Sequence, residues 1–106
     1  MEKGTWVVMT HPTSAAEEDQ FNKWYDEIHL PDLLNIPGVV GATRFRRDSD
    51  ETEMSPYLAL YELEAESLKD VLDEVVKRAG TPLMEMSDAL SMSEETGPRT
   101  VLFRKI

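Results

Sequence analysis

The residues most able to do chemistry lie in the stretch FNKWYDEIHLPDLLNIPGVVGATRF, residues 21–45. If this stretch begins as a helix, Tyr25 and His29 lie one turn apart on the same side. Asp26 precedes His29 by three residues and Asp32 follows it by three. Either carboxylate could accept the Nδ1 hydrogen of His29, fix its tautomer and raise its pKa. A histidine with a near-neutral pKa could then move a proton on and off a small molecule without a metal or cofactor. The structural alternative is a histidine that caps the helix end and bonds a carbonyl.

Two strand patterns supply groups that could stabilise developing negative charge. In residues 38–47 the alternation puts Arg44 and Arg46 on one face with Val40 and Ala42. Arg44 could bind a carboxylate, phenolate or enolate oxygen, or it could simply pair with an acid of this acidic chain. In residues 56–64 one face carries Tyr57 and Tyr61, whose hydroxyls could orient or protonate an oxygen or only pack. The candidate catalytic residues are therefore His29, Asp32, Arg44 and Tyr61, and the candidate substrate contacts are Trp24, Tyr25, His11 and Tyr57. His11, which ends the first strand just before a proline, is interpreted first as a loop residue and second as a pocket base.

Composition excludes several other classes of function. The chain has 106 residues, the size of one domain spanning residues 1–106, with 11 basic against 21 acidic residues and a net charge of −10. That charge argues against nucleic acid and anionic membranes as partners. The absence of cysteine excludes disulfides, cysteine-ligated metals and cysteine nucleophiles. With no signal peptide and no apolar run of membrane-spanning length, a cytoplasmic protein is expected. No cofactor is expected, because nucleotide-binding glycine motifs and a three-ligand metal set are absent.

Periodicity predicts four strands and two helices. A buried strand is expected over residues 5–11, and Ser14 with Glu17 has the form of a capping box. Phe21, Trp24, Tyr25 and Ile28 then form one helical stripe, which Pro31 and Pro37-Gly38 should end, with a possible extra turn through Leu33 and Leu34. Strands 38–47 and 56–64 form a hairpin across an acidic loop, followed by a helix ending at Gly80. Residues 81–98 are expected to be a short helix or a mobile methionine-rich cover, and a last strand follows.

The order βαββαβ predicts an α+β, ferredoxin-like domain with a four-stranded antiparallel sheet and two helices on one face. Nothing in the sequence remains to cover the other sheet face. A second copy of the chain is the simplest cover, since monomers rarely expose apolar patches of that size. We therefore expect a homodimer that closes through its sheets into an α/β barrel.

The stretch 21–45, followed by PYLALYELE, resembles the dimeric α/β-barrel superfamily and most of all its EthD-like members. These carry a Trp-Tyr…His-x-Pro helix end, a Pro-Gly turn and an arginine-bearing second strand. The resemblance implies the same fold and matches His29 to the helix-end histidine. The superfamily includes cofactor-free monooxygenases, polyketide cyclases, lactone isomerases, aldoxime dehydratases and haem-degrading enzymes, so it implies no single reaction.

Two functions follow as hypotheses. The first is a cofactor-independent enzyme, an isomerase, cyclase, lyase or monooxygenase, acting on a small, mostly apolar oxygenated substrate such as a polyketide-like compound, phenol or lactone. The second is a dimeric small-molecule-binding or accessory module without turnover. A weaker third alternative is a haem protein with His29 as axial ligand, in which Arg44 and Arg46 would be the basic groups nearest the propionates.

Overall fold

The computed structural model describes residues 1–50 and 53–106. Its strands are β1 (Glu2–Thr10), β2 (Val39–Arg46), β3 (Tyr57–Ala65) and β4 (Arg99–Arg104). They form one sheet in the order β2-β3-β1-β4, with every neighbouring pair antiparallel. The helical elements are a 3₁₀ turn (Ala15–Glu17), α1 (Glu18–Trp24), a π turn (Tyr25–His29), α2 (Leu30–Leu34) and α3 (Leu68–Arg78). The predicted ferredoxin-like βαββαβ architecture is confirmed.

The core lies between one face of the sheet and the helices. Alternate residues of β3 point into it, and Tyr57, Ala59, Tyr61 and Leu63 are all buried. Phe21 and Leu68, both 0 % exposed, bring the first helical run and α3 onto this face. The buried polar residue Thr10 ends β1 on the same side. The functional candidates on α1, β2 and β3 therefore converge in the layer between helices and sheet.

The opposite face of the sheet is open and apolar. Cross-strand register aligns Thr43, Leu60, Val7 and Val101 in one row, and Phe45 with Leu58 and Met9 in the next. Phe103, opposite Thr5 at the β4 edge, is 61 % exposed, and Phe45 is 48 % exposed. Large apolar side chains are thus left in contact with solvent on this face.

The first helical run differs from the predicted helix in its middle. Pro31 does not end it: the chain passes through a π turn, in which the Leu30 N–H donates to the Tyr25 carbonyl, and continues to Leu34. Proline in a regular α-helix would clash with the carbonyl four residues earlier, and the wider turn before Pro31 accommodates the ring. The extra residue in this turn rotates the helix face, so that Ile28, expected in the buried stripe, is 41 % exposed.

Two local predictions were wrong, and for residues 81–98 the helix, one of the two predicted alternatives, does not form. Ser14 makes no side-chain capping hydrogen bond, so the capping box does not form. A β-bulge between Val39 and Gly41 puts Val39 in the core and leaves Val40 58 % exposed, which reverses the expected face for Val40. Residues 81–98 contain no helix; this segment crosses the domain as turns and isolated bridges, anchored by buried Met84 and Leu90. Residues 51 and 52 of the predicted acidic loop lie outside the described residues.

The turn into β2 shows why this domain packs closely. Gly38 adopts a φ of 100°, a left-handed conformation that residues with a Cβ disfavour. A Cβ there would also lie 2.5 Å from a methyl carbon of Val71 on α3. Glycine at this position allows the turn before β2 to lie against α3. In the part of the chain that the structure describes, no helix is long and apolar enough to cross a membrane.

Candidate functional site

The π turn places His29 against two aromatic rings of its own helix. The imidazole stacks on Trp24 with ring centroids 4.5 Å apart and meets the Tyr25 ring edge-on at 4.9 Å. Residues five apart in an α-helix point about 140° away from each other, whereas the wider π turn brings them to one side. The stack of His29 on Trp24 is therefore a consequence of the π turn, which the sequence pattern did not reveal.

His29 lacks the carboxylate partner that was predicted for it. Its Nδ1 atom is buried and has no hydrogen-bond partner among the described residues. Asp26 instead pairs with Arg44, at 2.8 Å from Nη1, and no contact joins Asp32 to the imidazole. The predicted orientation of His29 by Asp26 or Asp32 is thus wrong, because the π turn carries the histidine toward the aromatic core and Asp26 toward solvent.

The pKa of His29 is lowered, whereas a carboxylate partner was expected to raise it. Burial, aided by the positive charge of Arg44, lowers the pKa of His29 to about 4. The imidazole is therefore neutral at pH 7.

Tyr25 and Tyr61 form a buried hydroxyl pair next to this histidine. Their oxygens are 3.3 Å apart, and each residue is 1 % exposed. Burial raises the pKa of both phenols, so both remain protonated donors. The side chain of Thr10 interacts with the Tyr25 hydroxyl as well. Tyr61, predicted from its position in the middle of β3, does lie beside Tyr25.

Arg44 connects this buried cluster to the surface. Its guanidinium carbon lies 4.3 Å from the centroid of the Tyr25 ring, and its side chain is only 13 % exposed. Nη2 donates to Asn22 Oδ1 at 2.8 Å while Nη1 pairs with Asp26. A charged group held by two acceptors and an aromatic face has a fixed position, which is what a charge-stabilising group in a site requires.

Asn22 is a residue that the sequence reasoning missed. Its Nδ2 donates to the Tyr57 hydroxyl at 3.0 Å, and that hydroxyl donates in turn to Glu18. Glu18, Asn22 and Asp26 recur every four residues, so they form a polar stripe on α1 and the π turn that faces β2 and β3. This spacing, opposite an arginine-bearing strand, was the available signal.

A cleft of about 560 Å³ opens on this polar network. Its lining includes Asn22, Asp26, Arg44, Arg46 and Tyr57. Neither His29 nor Tyr61 lines it, since Arg44 and the packed aromatic rings lie between them and the cleft. Tyr57, predicted as a substrate contact, is therefore in the cleft wall, whereas His29 lies behind it.

Trp24 and His11 have other surroundings. The Trp24 indole donates from Nε1 to the Glu85 carbonyl at 3.0 Å, which fastens segment 81–98 over the helix. The backbone of His11 accepts from Ser91, and its pKa is lowered by burial, partly offset by the Thr96 backbone. No contact brings His11 to His29. Within residues 1–50 and 53–106 no group of three or more metal-ligating side chains is close enough to hold an ion.

Two solved structures share this fold. A dimeric ferredoxin-like protein of unknown function from Jannaschia sp. CCS1 is 18 % identical, with a TM-score of 0.61, and covers 95 % of this chain and 97 % of its own. An ethyl tert-butyl ether D (EthD) family protein from Bacillus halodurans C-125 is 16 % identical, with a TM-score of 0.52, and both chains are covered completely. No protein-family model and no curated protein matches the chain. The expected ferredoxin-like fold is confirmed, and an EthD family protein shares it.

The low pKa of His29 has a consequence for stability. In the unfolded chain the imidazole takes up a proton near pH 6.5, whereas in the folded chain it does so only near pH 4. Between these values the unfolded state binds more protons, so the free energy of unfolding rises with pH. This contribution is complete above about pH 6.5 and is lost as the pH falls toward 4.

We predict that wild type loses about 2 kcal/mol more stability than His29→Gln when the pH is lowered from 7 to about 4.5. Urea unfolding of both proteins at the two pH values measures this difference. The other titratable groups are present in both proteins, so their contributions to the free energy of unfolding cancel in the comparison. Equal losses in the two proteins would show that His29 is not buried in its neutral form.

Proposed function

We propose that this chain is a cofactor-independent enzyme that moves a proton on a small oxygenated molecule, with neutral His29 as the base. The observation that carries the proposal is the buried Nδ1 of His29 without a partner. A buried polar atom is costly unless it is hydrogen-bonded, and a bound ligand would supply the missing partner. The lowered pKa keeps the imidazole in the proton-accepting form at neutral pH.

The residues around His29 suit the charge that such a reaction develops. When a proton leaves a carbon next to a carbonyl, the carbonyl oxygen becomes negative. The Tyr25 and Tyr61 hydroxyls are protonated donors, and the Arg44 guanidinium is fixed beside Tyr25. A proton on His29 is disfavoured by burial and by Arg44, and the new negative charge offsets that cost. Isomerisation, cyclisation and elimination are the reactions that need only these steps.

The cleft at Arg44 is the proposed approach to this cluster. Arg44 lines the cleft on one side and covers the Tyr25 ring on the other. Substrate entry therefore requires a transient shift of the Arg44 side chain, which then returns to the position that its two acceptors and the Tyr25 ring define. Asp26, whose side chain is 62 % exposed, can release its end of the ion pair into solvent.

The proposed assembly is a homodimer that packs the two open sheet faces together. The support is the row of exposed apolar side chains on that face, and one structural relative is described as dimeric. We also propose that the protein is cytoplasmic.

The experiment that tests the function requires no knowledge of the substrate. Purified protein is incubated in D₂O with a panel of small ketones, lactones and phenols, each with and without a carboxylate group, and deuterium incorporation at carbon is followed by NMR. Incorporation that depends on His29 supports the proposal. Activity that persists in His29→Gln would contradict it.

A second candidate function is ligand binding without turnover. The observation that favours it is the packing around Tyr25 and Tyr61, which keeps His29 and Tyr61 out of the cleft lining. Saturable binding of panel members, with no deuterium incorporation in any of them, would support this alternative.

A further inference from the structure

We propose that the cleft on β2 binds the carboxylate of a small organic anion. In the absence of this anion, the Asp26 carboxylate pairs with Arg44 in its place. This inference rests on the proposed function only in treating that anion as the substrate. Binding itself can be measured without turnover.

Arg44 and Arg46 make the cleft cationic on its strand side, whereas Asp19 and Asp26 line its helix side. Both alternate onto the helix-facing side of β2, opposite Ala59 and Tyr57 of β3 respectively. The Arg46 guanidinium carbon lies 5.6 Å from the Tyr57 ring centroid. No ion pair to Arg46 occurs within the described ranges, although acids outnumber bases by 21 to 11 in the chain. An exposed guanidinium that has no ion pair among the described residues, next to a second guanidinium, can bind an external anion.

The two partners of Arg44 differ in how firmly they are held. Asn22 is fixed at both ends of its amide, accepting from Arg44 and donating to Tyr57. Asp26 makes one hydrogen bond to Arg44, and its side chain is 62 % exposed. Asp26 is therefore the partner that a ligand can displace at small cost, because a released carboxylate is solvated at once. An incoming carboxylate would take the Nη1 hydrogen of Arg44 and reach Arg46 with its second oxygen.

This arrangement predicts that removing a carboxylate strengthens anion binding. Asp26→Asn abolishes the charge that competes for Arg44, and benzoate should bind roughly three- to tenfold more tightly. Arg46→Gln removes the second cation, and benzoate should bind about tenfold more weakly. Glu27→Gln is the matched control: it removes the same charge from the next residue, which lines a different cleft on the helix, and it should change affinity little.

The experiment is an NMR titration of wild type, Asp26→Asn, Arg46→Gln and Glu27→Gln with benzoate and with neutral benzamide at fixed ionic strength. The inference requires benzoate to bind more tightly than benzamide and Asp26→Asn to tighten benzoate binding more than Glu27→Gln does. Equal binding of the two probes, or equal effects of the two acid substitutions, would overturn it.

The same titration in His29→Gln separates this inference from the proposed function. If His29→Gln still binds benzoate and wild type shows no deuterium exchange, the proposed enzymatic function is refuted and the proposed anion site is retained. His29-dependent exchange without benzoate binding would refute the anion site alone.

Discussion

Replacement of His29 with glutamine is expected to lower the rate of deuterium exchange at least about 100-fold, because a positioned general base contributes that much or more. Glutamine keeps a polar side chain of similar reach but has no group that accepts a proton near neutral pH. The measurement is the rate of deuterium incorporation into whichever panel compound wild type turns over.

His11→Gln is the matched control for that experiment. His11 also has a buried Nδ1 without a partner in the described part of the chain, but its contacts are with residues 91 and 96. We expect this variant to keep the wild-type rate. Near-UV circular dichroism distinguishes loss of the base from loss of the fold, and a folded His29→Gln with full activity would refute the catalytic assignment.

Replacement of Phe103 with aspartate is expected to convert the homodimer to a monomer at micromolar concentration. Phe103 is 61 % exposed on the open sheet face, and in a two-fold interface the substitution puts two charges into an apolar contact. Sedimentation velocity measures the mass.

Val76→Asp is the control for the interface. Val76 is 78 % exposed on α3, which packs on the other side of the sheet, so this variant should keep the wild-type mass. A monomeric wild type, or a Phe103→Asp variant with unchanged mass, would contradict the proposed assembly.

The sheet and its helices were predictable because their signals are local and repeated. Alternation in residues 56–64 correctly placed Tyr57 and Tyr61 on the buried face. The helical stripe correctly buried Phe21, Trp24 and Tyr25. In each case several residues of one period agree, so one exception does not change the assignment.

The failures come from single-residue changes of phase. The π turn adds one residue before Pro31, which exposes Ile28 and turns His29 toward Trp24. The bulge at Val39 shifts the register of β2 by one residue and so exposes Val40. The sequence pattern does not reveal such an insertion, because the packing of elements that are distant in sequence determines where the insertion occurs.

The partner of His29 could not be predicted for a related reason. Proximity in sequence favoured Asp26 and Asp32, and both lie three residues away. The actual neighbours of His29 are aromatic rings, and Asp26 pairs instead with Arg44 on β2. Competition between a local and a distant partner is settled by the tertiary structure, which also reverses the direction of the pKa shift.

A histidine NMR titration measures whether His29, a half-buried residue whose Nδ1 is buried, is neutral at pH 7. The chain has two histidines, so the ring resonances of His11→Gln assign His29 without ambiguity. We expect a midpoint for His29 near pH 4. A midpoint near the ordinary value of about 6.5 would place the imidazole in water and contradict both its burial and its proposed role.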